Sequence, residues 1–120
     1  MKKEMNHDVV AYLDSSEKVR DVLVTMDMLY DEWEIDYESR ELSLPGTYSY
    51  RLSYRRLKMV DYLKDNRCRI VTLEELAEQF ESTTKSVHVE LLVIKKLNKR
   101  IPILTIGKKG YMWYNLGELK

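Results

Sequence analysis

The sequence predicts a mixed α+β domain, and three stretches carry that prediction. Residues 34–52 alternate apolar and polar side chains at a period of two, the pattern of half-buried strands. Residues 53–97 hold three segments with apolar residues three and four apart, the first two behind a Ser or Thr cap, the pattern of amphipathic helices. Residues 103–114 alternate again around Gly107 and Gly110, as in a glycine-turned hairpin. A small antiparallel sheet, three helices and a terminal hairpin, in that order, make a winged helix-turn-helix whose hairpin is the wing.

The elements follow in chain order. Residues 9–13, Val-Val-Ala-Tyr-Leu, form a short apolar run that suits a strand or the start of a helix. Asp14-Ser-Ser-Glu17 then resembles an N-cap with its carboxylate, and apolar residues recur at 19, 22, 23, 26, 29, 30 and 33. That spacing predicts a helix over 15–33, with Asp21, Asp27, Asp31 and Glu32 on its other face. Ile35, Tyr37, Leu42 and Leu44 give two strands reversing at 38–41, Pro45-Gly46 turns the chain, and Tyr48, Tyr50 and Leu52 make the third. Ser53 caps a helix that buries Leu57, Leu63 and Met59 or Val60. Ile70-Val71 suits a very short strand, and Thr72 with Glu75 is a capping box opening a helix over 73–80. The long helix from Thr84 places Val87, Leu91, Ile94 and Leu97 at core spacing and ends between Asn98 and Pro102. Tyr111, Trp113 and Tyr114 are expected to brace the wing, and the other tyrosines to pack in the core and at interfaces rather than to stack on single-stranded bases.

Composition narrows the function classes. At 120 residues there is room for one domain with an appended element, and no apolar run approaches the ~20 residues of a membrane span. No secretory signal is evident at the start, so a cytoplasmic protein is expected. Cys68 is the single cysteine, and His7 and His88 are the two histidines. No metal-ligand spacing, nucleophile-base pair or phosphate loop appears, so neither an enzyme nor a metal or other cofactor is expected. The zero net charge hides an asymmetry. Residues 1–44 carry 5 Lys and Arg against 12 Asp and Glu, a net of −7, whereas residues 45–120 carry 15 against 8, a net of +7. The basic part suits an anionic partner, and the acidic leader suits protein contact.

The wording of residues 34–116 resembles the OmpR/PhoB-type response-regulator DNA-binding domain. Ile35-Asp-Tyr-Glu-Ser-Arg-Glu-Leu-Ser-Leu44 is similar to its opening hairpin, and Leu52-Ser53 stands where the family has Leu-Thr. Arg69-Ile-Val-Thr-Leu-Glu-Glu-Leu76 resembles its Arg-Val-Val-Ser-Arg-Glu-Glu-Leu. Ser86-Val-His-Val-Glu-Leu91 resembles Thr-Val-Asp-Val-His-Ile, and Leu104-Thr-Ile106 with Gly110-Tyr111 resembles the wing. Three positions depart from the pattern: Arg56 replaces a Glu, Val93 an Arg of the recognition helix, and Gly107 an Arg of the wing. The ~33 residues ahead of the domain are too few for a phosphoacceptor receiver.

The resemblance implies that residues 34–120 bind double-stranded DNA, while the apolar face of the leading helix, ending in Met26, Met28, Leu29, Tyr30 and Trp33, makes residues 1–33 an expected acidic strand-plus-helix extension for dimerisation or partner docking. The expected function is a sequence-specific transcriptional regulator without a receiver, acting as a homodimer and meeting RNA polymerase or another protein through the leading helix. The contacting residues are expected to be Thr83, Thr84, Lys85, Ser86, His88, Lys95 and Lys96 on the long helix and Lys108 and Lys109 at the wing tip. Val87 stands where the resemblance allows a contact with a thymine methyl, a use that conflicts with burying it. Glu90 would repel phosphate if it faced DNA. The alternative is a winged helix converted to protein binding, an adaptor or inhibitor that has lost DNA.

Overall fold

The computed structural model describes residues 30–115. The predicted strand over 9–13 and most of the predicted leading helix lie outside that range.

Two small antiparallel sheets enclose three helices. β1 (Glu34–Asp36), β2 (Glu41–Leu44) and β3 (Tyr48–Arg51) form the first sheet in the order β1-β2-β3. The β1–β2 reversal is built by the Asp36 carboxylate, which accepts from the amides of Glu38 and Ser39, and by Arg40 at φ 62°. Pro45 and Gly46 occupy the central positions of the next turn, closed by the Thr47 amide on the Leu44 carbonyl. Gly46, at φ 77°, supplies the positive angle such a turn requires. Leu42 lies opposite Tyr50 and Leu44 opposite Tyr48, so all four share one face, with the two leucines buried and Tyr48 exposed at its edge.

Three helices follow: α1 (Tyr54–Asp65), α2 (Leu73–Gln79) and α3 (Thr84–Leu97). Each starts at a hydroxyl cap. Ser53 accepts from the Arg56 amide, Thr72 from Glu75 and Thr83 from Ser86. The expected capping box at Thr72 is only half formed. The Glu75 carboxylate turns away to accept from Arg69 at 2.8 and 3.1 Å and from the Tyr62 hydroxyl at 2.5 Å. It thereby ties the end of α1, the following turn and the start of α2 together.

The second sheet has the order β4-β6-β5, from β4 (Val71–Thr72), β5 (Ile103–Ile106) and β6 (Gly110–Trp113). β4 sits one residue later than the Ile70-Val71 expectation because its pairing with β6 sets Val71 against Tyr111 and Thr72 against Gly110. α2 stops at Gln79, with Phe80 as its cap rather than its last residue. In β5 and β6 alternate residues face opposite ways. Ile103, Tyr111 and Trp113 join the main core, while Leu104, Ile106 and Met112 make a second buried cluster on the outer face with Ile70 and Tyr114.

The main core is filled by the predicted helix faces, Leu57 and Leu63 of α1 and Val87, Leu91 and Ile94 of α3, all fully buried. α1 buries both Met59 and Val60, where the sequence left a choice. α3 packs against α1 and α2, and α1 against β6.

The main departure is at the entry to the domain. The predicted leading helix was to run through Trp33, yet Tyr30 lies in a turn and residues 31–33 are irregular. Trp33 is fully buried, stacked on Tyr48 and Tyr50, and its indole N–H donates to the Arg100 carbonyl at 3.0 Å. Asp31 accepts from Arg100 through two 2.9 Å bonds, and its carbonyl accepts from Asn115. The physical reason is one of competition. A large indole gains more by filling the space between the first sheet and the end of α3 than by extending a helical stripe.

Candidate nucleic-acid interface

The site is built around α3 because one face of it is already committed. Val87, Leu91 and Ile94 point into the core, so the opposite stripe, Lys85, Val89, Val93 and Lys96, must face out. Val89 is 51% exposed and Val93 37% exposed. The two Lys residues bracket them, one near each end of the helix.

Beside the first turns of α3 runs the wing. Its tip is closed by the Lys109 amide on the Ile106 carbonyl at 2.9 Å, with Gly107 at φ 54°, which leaves Lys108 and Lys109 exposed. Gly110 is required for a different reason. A Cβ there would stand 2.1 Å from the Val71 carbonyl oxygen, so only a glycine lets β6 pass this close to β4.

Between helix and wing lies a groove of about 320 Å³. Thr84, Lys85 and His88 line it from α3, Thr105 and Lys108 from the wing, and Leu73 and Tyr111 from its floor. No carboxylate lines it among the described residues. The local field is therefore cationic, although the chain as a whole is neutral.

His88 is held rather than free. Its Nδ1 lies 2.6 Å from the Tyr111 hydroxyl. Burial pushes the Tyr111 phenol up to about 12, so it stays protonated at neutral pH. The direction of the bond follows the tautomer: when Nε2 carries the ring proton the phenol donates to Nδ1 and the Nε2–H faces an acceptor, and in the other tautomer Nδ1–H donates to the phenol oxygen.

Glu90 faces inward along the helix and meets Arg56 of α1, Nε to Oε1 at 2.5 Å. The Arg that departs from the family pattern thus has a visible task. It neutralises the lone acidic residue of α3.

The nine residues expected to contact DNA do not all share one surface. Thr84, Lys85 and His88 meet Lys108 across the groove, and Lys109 stands beside it at the tip. Thr83 is occupied as the helix cap, and Ser86 is half-buried, its amide held by that cap. Lys95 is half-buried and donates to the Thr105 hydroxyl at 2.6 Å, which braces α3 to the wing. Lys96 is exposed farther along the outward stripe. Val87 is fully buried, so a thymine contact from it is not available.

Sequence reasoning did not single out Val89, named Val93 only as standing in place of an Arg, and did not find a partner for Glu90. The valines could have been found from the helical wheel once Val87, Leu91 and Ile94 were placed inside. Cys68 is half-buried at φ 63°, its amide donating to the Trp113 carbonyl, which marks it as a turn residue.

No protein-family model matches the sequence, and no curated protein matches it either. Among solved structures the chain is similar to the DNA-binding domain of E. coli CadC, with a TM-score of 0.59 and 17% identity. The match covers 71% of this chain and 87% of that one. At that identity the likeness shows the fold: a winged helix with small antiparallel sheets and three helices.

Proposed function

We propose that this protein is a transcriptional regulator that binds double-stranded DNA in a sequence-dependent way, with the leading end and outward face of α3 in the major groove and the wing against the adjacent backbone. The observation that carries the reading is the carboxylate-free groove in which Thr84, Lys85 and His88 face Lys108. A groove lined by ammonium groups and hydroxyls, beside an exposed helical face, suits a polyanion whose phosphates and base edges alternate. The Arg56–Glu90 pair removes the main electrostatic objection, a bare carboxylate on the recognition helix. The similarity of the fold to a DNA-binding domain supports the same reading.

Thr84, Lys85 and His88 would contact phosphates and groove edges, Lys108 and Lys109 the backbone beside the wing, and Lys96 the far groove wall. Thr83 and Ser86 would contribute through their backbone at the helix start, and Lys95 by holding the wing in place. Two copies would sit on adjacent half-sites through the acidic leading segment, which could also meet RNA polymerase. A cytoplasmic site of action goes with that partner. A second reading, docking of α3 into a protein groove, is favoured by the exposed Val89 and Val93, which stand four residues apart as helix-in-groove anchors do.

A salt titration separates the two. The protein is titrated against random and selected duplexes. Four exposed ammonium groups on phosphates predict a slope of roughly −3 to −4 in log K against log salt. Lys85→Ala or Lys109→Ala should each lower it by about 1. Failure to bind any duplex at low salt would favour the protein-docking reading.

A further inference from the structure

We infer that α3 discriminates sequence mainly through the C5-methyl groups of thymine, with Val89 and Val93 as the specificity-determining side chains; the inference rests on the duplex-binding reading above. α3, Thr84–Leu97, contains no Arg, Asn or Gln, the residues whose planar groups form paired hydrogen bonds with guanine or adenine edges. Three of its polar side chains already have partners within the domain, and Lys85 and Lys96 are placed to meet phosphates. Glu90 is paired with Arg56, Lys95 with Thr105, and His88 with Tyr111 through Nδ1. What the helix offers at the middle of its outward face is two branched hydrocarbon side chains, flanked by Lys85 and Lys96.

That arrangement matches the chemistry of one groove feature. The thymine methyl is the apolar group that the major groove presents, and it lies between two phosphate walls. Valines four residues apart are separated by about 6 Å along the helix axis, while base pairs stack at about 3.4 Å. The pair therefore spans about two base steps. Lys85 and Lys96, about 16 Å apart along the same axis, flank the valines, one toward each end of the helix. Their ammonium groups can reach the phosphates on either side while the valines sit over the bases.

The test uses the full chain and a duplex enriched from a random library, made once with thymine and once with deoxyuridine throughout. Deoxyuridine keeps every hydrogen-bonding group and removes the methyl alone. Loss of about fourfold in affinity per contacted methyl is expected, hence about 4- to 15-fold weaker binding of the deoxyuridine duplex. The double variant Val89→Ala/Val93→Ala should bind the two duplexes equally while keeping the wild-type salt slope. Both positions are exposed, and Ala is the stronger helix former, so the variant should fold.

Equal binding of the two duplexes by the wild type, with its salt slope intact, would overturn this inference and leave duplex binding standing. A double variant that still prefers thymine would also overturn it. Absence of binding to any duplex at low salt would instead remove the duplex-binding reading and this inference with it.

Discussion

Replacing Gly110 by alanine should be the most damaging single-methyl change in the wing. The added Cβ would stand 2.1 Å from the Val71 carbonyl oxygen, 2.8 Å from the Thr72 Cα and 2.9 Å from the Val71 carbonyl carbon. Ordinary non-bonded carbon contacts lie at about 3.5–4.0 Å, so β4 must retreat by more than about 1 Å. All three obstructing atoms are backbone, which no rotamer change can move aside. The retreat would break the pairing of Val71 with Tyr111 and of Thr72 with Gly110, and Thr72 is also the cap of α2.

Two lost backbone bonds at about 1 kcal/mol each and a weakened cap at about 1 kcal/mol give a loss of about 3 kcal/mol. For a domain of this size each kcal/mol moves Tm by about 4–8 °C, so a fall of about 12–24 °C is expected. Gly107→Ala is the internal control. Its φ of 54° strains any other residue, but nothing stands within 4 Å of the new Cβ, and a cost of about 1–2 kcal/mol follows. Thermal unfolding followed by far-ultraviolet circular dichroism measures both. A Gly110→Ala protein that melts with the wild type, or above Gly107→Ala, would refute the close approach of β4 and β6 as the reason for this glycine.

Two further outcomes test the electrostatics. Arg56→Ala should weaken duplex binding most at low salt by unmasking Glu90, and Arg56→Ala/Glu90→Gln should recover most of the loss; electrophoretic mobility shifts in a salt series would show whether it does. Glu75 is held below the ordinary carboxylate value, first by its bonds to Arg69 and then by Tyr62. A depressed pKa means that the folded state binds fewer protons, so the stabilisation is fully present above the ordinary value and is lost as pH falls from there through the lowered folded value. Glu75→Gln should thus be less stable than the wild type at pH 7, with the gap closing toward pH 3 in urea denaturation curves; a gap that widens on acidification would contradict the network.

Much of the fold was legible because it is written in local patterns. Period-two alternation over 34–52, hydroxyl caps at Ser53 and Thr72, and the core spacing of Val87, Leu91 and Ile94 each act within one element. The site was legible in part. Lys85, Lys108 and Lys109 are surface cations wherever the helix and hairpin lie, so their exposure could be anticipated. Lys95 looked equivalent to Lys96, and only the position of Thr105 on the neighbouring strand distinguishes them.

The amino-acid order by itself determined which segments are helix and strand, where they begin, and which helix stripe is apolar, because caps, turns and periodicity are short-range properties of the chain. Tertiary structure alone decided that Trp33 fills the core between the first sheet and the end of α3, that Arg56 pairs with Glu90 from 34 residues away, and that Lys95 is held by Thr105. Each of these depends on which surfaces meet across the fold, and a side chain's environment is set by neighbours in space that no local spacing can name.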